Sequence, residues 1–249
     1  MKKAFIIFKR DAREMLGTRA FLIICIMSFL ITAAASVITS ILLSRQPWLD
    51  FPEARPVLEL IIGLLTFFIP LVIIMVFIWG FSGLQLAREK ADGIISSLIA
   101  AAITPRQLWT GKSLAIFLPA YLISLLSTMI VVLAVNLSVI VPASGSFIFP
   151  LPLFLVSLVW DPLLLLGTLM FIILFSLAGN PDTAIAPSFI IGFGLMMGIP
   201  IGMAAGVVDL VSWDFSLWFL AGTAAAWAAI IILTRFLTRE NIVLSSKGS

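Results

Sequence analysis

The sequence predicts an all-α integral membrane protein of six transmembrane helices, preceded by an amphipathic helix, with both termini cytoplasmic. Three observations carry this reading. Of 249 residues, 62% are apolar and 11% charged, with a mean hydropathy of +1.23. A soluble domain has no interior large enough to hide that much apolar surface. Stretches free of Asp, Glu, Lys and Arg cover 20–44, 60–87, 113–160, 162–181, 183–208 and 215–234, together 167 residues, and a membrane helix needs about 20 mostly apolar residues. Finally, six spans place 13 Lys and Arg on the side of the termini and only Arg45 and Arg55 on the other, so the positive-inside rule puts the termini in the cytoplasm.

Residues 1–17 read as an interfacial amphipathic helix. Phe5, Phe8, Ala12, Met15 and Leu16 recur at helical spacing, while Lys9, Arg10, Arg13 and Glu14 occupy the other faces. Gly17 ends the pattern, and Thr18 is placed to cap the first span. A cleavable signal peptide ending near Ala33-Ala34-Ala35 is the competing reading. The long charged prelude with Asp11 and Glu14 disfavours it.

A membrane domain over 20–237 follows, with spans expected near 20–44, 57–83, 113–141, 161–178, 184–208 and 215–236, and a cytoplasmic tail over 238–249. The long run after Lys112 is divided by Pro142, Gly145, Pro150 and Pro152. Asp161-Pro162 reads as an N-cap and first helical position, which leaves 143–160 outside the membrane. Trp48, Trp160, Trp213 and Trp218 then fall near the outer interface, and Trp79 and Trp109 near the inner one.

The cytoplasmic loop 85–112 carries the densest pattern. After Arg88-Glu89-Lys90-Ala91-Asp92-Gly93, the residues Ile94, Ile95, Leu98 and Ile99 share one face of a short helix that Asp92 is placed to cap. Thr104-Pro105-Arg106-Gln107 forms a capping box that starts the helix leading into span three. An exposed apolar stripe of this kind faces either a partner protein or lipid. Gly111-Lys112-Ser113 is not a phosphate-binding loop, because the glycine required five positions earlier is Arg106.

The stretch Arg88-Glu89-Lys90…Gly93…Leu98-Ile99…Ile103-Thr104…Gly111-Lys112 resembles the coupling loop of type-2 ABC export permeases. Ile94 stands where that family commonly has Thr, and Ala102 where it commonly has Pro. The resemblance covers the chain and implies a multi-pass permease subunit of a prokaryotic plasma membrane, not itself an enzyme. It implies a second permease copy in a dimer and separate ABC ATPase subunits that hold ATP and Mg, with no cofactor in this chain. It also implies that Glu89, Gly93, Leu98, Ile99 and Lys112 dock the ATPase, with a second contact from Ala178 to Thr183. Ile94 and Ile95 join that docking set as part of the apolar face.

Within the spans, Gly194, Gly198, Gly202 and Gly206 form a ridge at spacing four, and Ser28, Thr32, Ser36 and Ser40 a polar counterpart. Such stripes suit either packing inside one subunit or a dimer seam. The resemblance implies a seam that also lines the export path. Only Glu59 approaches the hydrocarbon, at an outer helix end. That disfavours an ion-coupled secondary transporter, the alternative reading, since such proteins place charges at mid-membrane. With no histidine and only Cys25, imidazole bases, Cys/His dyads and His-rich metal sites are excluded, and Met196, Met197 and Met203 read as space-filling. The surrounding partner is membrane lipid, and nothing in the charge pattern calls for nucleic acid.

Overall fold

A computed structural model describes residues 2–49, 51, 54–100, 103–179, 181–238 and 240–242. Among them there is no strand, and six helical stretches are long and apolar enough to cross a membrane. Helix α1 (Lys2–Leu16) precedes α2 (Arg19–Ser44) and α3 (Arg55–Phe81). Two short helices, α4 (Leu84–Ala91) and α5 (Ile94–Ala100), then lead to α6 (Pro105–Val135), which runs on through a π turn (Asn136–Ile140) into α7 (Val141–Ser144). Helix α8 (Leu151–Leu155) continues through a second π turn (Val156–Trp160) into α9 (Asp161–Ala178). Helices α10 (Pro181–Ala184), α11 (Ala186–Ala204) and α12 (Trp213–Leu233) follow, with a 3₁₀ turn over Thr234–Phe236.

Helix α3 is the axis of the bundle. Ile62, Phe67, Leu71, Ile74 and Phe77 are fully buried along it, and it packs against α2, α6, α8, α9 and α11. Helices α2, α11 and α12 stand at the periphery with most of their apolar side chains facing outward. The start signals read from the sequence are present. The Thr18 hydroxyl accepts from the Phe21 amide at 3.1 Å, and Thr104 and Gln107 exchange both bonds of the capping box, at 3.3 and 3.1 Å.

The fourth span departs from expectation. It begins at Leu151 and forms a 28-residue stretch, so Asp161 is an interior residue of a helix and not an N-cap, and 151–160 is continuous with α9 rather than a separate segment, which leaves 145–150 as the connection between the two stretches. Leu153, Phe154 and Val156 lie in the core, with Leu153 packed against Gly63. Proline at position 162 removes one amide and crowds the carbonyl four residues back, which ordinarily ends a helix. Here the ladder widens into the π turn, where the Asp161 amide reaches Val156 O, and the carbonyl of Leu158 accepts from the Tyr121 hydroxyl at 2.9 Å. A residue on a neighbouring helix thus satisfies the group the proline displaces.

The connection from α7 to α8 is pinned by the fully buried Asn136. Its Oδ1 accepts from Ile148 N at 2.8 Å, and its amide donates to Val132 O at 2.9 Å. Trp109 is also a core residue and not an interfacial anchor, its indole donating to Met170 O at 2.7 Å.

Candidate functional site

Helix α1, the α4–α5 hairpin and the first turns of α6 meet at one end of the bundle. Ile7, Asp11 and Met15 repeat every four residues along α1, and all three are buried. This inward face replaces the expected one in part. Met15 and Ala12 pack inward as core residues, whereas Phe5 and Leu16 stay exposed. Gly111 on α6 permits the close approach, since a Cβ there would lie 2.9 Å from both Ala4 O and Ile7 Cβ.

Next to that contact, Lys112 joins two carboxylates. Its ammonium lies 2.9 Å from Asp11 Oδ2 and also pairs with Glu89 on α4, with Lys112, Asp11 and Glu89 only 3%, 4% and 7% exposed. Arg10 sits 2.7 Å from Asp11 on its other oxygen, which brings the cluster to charge balance. Burial alone would lower the Arg10 guanidinium, but Asp11, with Glu14 and Glu89, outweighs it and holds Arg10 above its ordinary value. Burial also pushes the Lys90 ammonium below its ordinary value, while that group donates to Gly179 O at 2.6 Å. The hairpin is thereby tied to α1, to α6 and to the end of α9.

The expected docking residues separate into two groups. Glu89 and Lys112 are internal ion partners, not surface positions. Ile95 and Ile99 are buried in the core, and Leu98 is half-buried across a cavity of about 230 Å³ from Ile6, Ile7 and Arg10 of α1. The apolar face of α5 is therefore only partly exposed, because Ile95 and Ile99 turn into the core and Leu98 packs against it, while Ile94 stays outside. Exposed instead are Ala91, Asp92, Gly93, Ile94 and Ser97. Asp92 closes α4 through its own amide to Arg88 O and does not cap α5. Gly93 makes the reversal with φ 69°, a conformation that penalises any Cβ. Ala101 and Ala102, at the end of the expected coupling helix, lie outside the described residues, as does Asn180 of the second expected contact.

The stripes are also divided. Ser28, Thr32 and Ser36 are buried, each hydroxyl donating to the carbonyl four residues earlier at 2.7–2.8 Å. Since α2 packs on α6 and α3, these three belong to contacts within the chain and not to a surface seam. Ser40 pairs with Ser138 at 2.9 Å. On α11, a Cβ at Gly194 or Gly198 would meet nothing within 4 Å, whereas Gly202 already packs on Val208. Gly206 lies beyond the helix end, in a turn with φ 71°, and leaves the ridge. The close approach of α11 to α3 comes from Gly192, which packs on Met75 and Trp79.

Asp161, read from the sequence as a helix cap, takes a different place in the structure. It is fully buried, neither carboxyl oxygen has a hydrogen-bond partner among the described residues, and it lies about 15 Å along the span from Leu151 at 1.5 Å per residue. It is therefore interior to the 28-residue helical stretch and not a residue of its first turn. Asp11, in contrast, had a signal, being a carboxylate in register with Ile7 and Met15. Among the described residues, no group of three or more His, Cys, Asp and Glu is arranged to hold a metal ion. No family model, curated protein or solved structure matches the chain.

Proposed function

We propose that this chain is the membrane permease subunit of an ATP-driven exporter, working as a dimer and coupled to separate cytoplasmic ATPase subunits. The observation that carries the reading is the α4–α5 hairpin. It presents an exposed tip at Ala91–Ile94 while buried ion pairs and the Lys90 bond fasten its base to α1, α6 and the end of α9. A lever needs this combination, because force applied at a free tip reaches the spans only through a base that does not yield. The coupling-loop resemblance and the basic bias of that face of the membrane point the same way. Gly194 and Gly198, open on α11, are the seam positions this reading retains.

The test is Ile94→Asp, which places a charge on the exposed tip and leaves the base intact. The variant is expected to insert and unfold like the parent, yet to retain its ATPase at least about tenfold more weakly, as for loss of an interface anchor. Normal co-purification with the ATPase would overturn the assignment of the tip. Leu98→Asp is a different probe, since it disturbs packing of the hairpin against the core.

Asp161 favours a second reading, an ion-coupled secondary transporter, because buried carboxylates at membrane depth serve as ion or proton sites. Asp161→Asn separates the two in proteoliposomes. Under the exporter reading the variant keeps ATP-driven transport and folds at least as stably, since a neutral amide is less costly to bury unpartnered than a carboxylate. Loss of transport driven by an imposed ion gradient would instead select the ion-coupled reading.

A further inference from the structure

A cavity of about 780 Å³ lies at the end of the bundle opposite α1, between α9, α11 and α12. One side is apolar, formed by Leu164, Leu195, Val208 and Phe219, and the mouth carries Asp209, Asp214 and the exposed indole of Trp218. No lysine or arginine among the described residues lines it. The loop holding Asp209 is ordered by the turn at Gly206, by the amides of Val207 and Val208 donating to Gly202 O at 2.9 and 3.1 Å, and by the fully buried Leu210. Ser212 caps α12, and Asp214 lies in its first turn. A helix N-terminus contributes only about half a positive charge, so two carboxylates leave the mouth clearly negative.

We propose that this cavity binds an amphiphilic cation, a single ammonium centre attached to an apolar body. The ammonium sits between Asp209 and Asp214 against the face of Trp218, where the ring quadrupole attracts it. The body lies along Leu164, Leu195, Val208 and Phe219. Charge complementarity selects the occupant. An anionic amphiphile faces two carboxylates with no basic partner, and an uncharged one leaves the carboxylates unused at the mouth. Binding of this kind needs no ATP and no second subunit, so it stands or falls separately from the exporter reading.

The experiment measures equilibrium binding of tritiated decyltrimethylammonium to the purified full-length chain in an uncharged detergent, with decyl sulfate and tetramethylammonium as competitors. The expected result is saturable binding that decyl sulfate does not displace and that tetramethylammonium displaces only weakly. The double variant Asp209→Asn/Asp214→Asn should weaken it at least about tenfold. Gly222→Leu gives an independent check, because Gly222 lines the cavity and a Cβ there meets nothing within 4 Å. That variant should elute like the parent and lose binding with both carboxylates in place. Absence of saturable binding, equal displacement by decyl sulfate, or unchanged affinity in either variant would overturn the proposal.

Discussion

Replacing Lys112 with methionine is expected to destabilise the protein by about 3–5 kcal/mol, the usual cost of removing one partner from a buried ion pair. Methionine preserves much of the side-chain volume, so the loss is electrostatic. Without the ammonium, Asp11 and Glu89 both remain buried; Asp11 keeps its close pair with Arg10, whereas Glu89 feels Arg10 only at longer range. The structure relieves this by protonating a carboxylate or by swinging α1 or α4 outward, which opens the base of the hairpin. Thermal unfolding in detergent, followed by tryptophan fluorescence, should show the lowered midpoint. Adding Glu89→Gln to the variant should recover part of it, because the stranded carboxylate is then neutral. If Lys112→Met unfolds with the parent, the cluster carries no mechanical or structural weight.

Gly111→Leu should detach α1 from α6. The first atom of any side chain there meets a backbone carbonyl, Ala4 O, and a branched Cβ on Ile7, both at 2.9 Å. Neither can rotate aside, so the two helices must separate. Overpacking of this sort costs about 1–3 kcal/mol, and the separation also draws Asp11 away from Lys112 one residue further on. The effects are therefore coupled and should not add. Ile7→Cys in a Cys25→Ala background reports the event. Position 7 is 3% exposed in the parent and should resist a water-soluble maleimide, then react readily once Gly111 is replaced. Continued protection would mean that α1 accommodates the side chain without leaving.

The six spans and the two capped helix starts at Thr18 and Thr104 are legible in the sequence. Membrane insertion depends on hydropathy summed over a continuous segment of about 20 residues, and capping on groups three residues apart. Both are local quantities, so the chain states them directly. The grouping of Glu89, Gly93, Ile94, Ile95, Leu98, Ile99 and Lys112 in one loop was visible for the same reason. Whether those residues face outward or inward was not.

That division was decided by partners far away in the sequence. Asp161-Pro162 has the local form of a helix start, and becomes the interior of a span because the Tyr121 hydroxyl reaches the carbonyl that the proline displaces. Asp11 has the local form of a solvated charge, and becomes buried because Lys112, 101 residues later, arrives beside it. Ile95 and Ile99 form an apolar stripe on any helical projection, and the core covers it. A periodic pattern fixes which residues share a face. Burial of a polar group depends on whether a complementary group reaches it, and only the packed bundle brings those groups together.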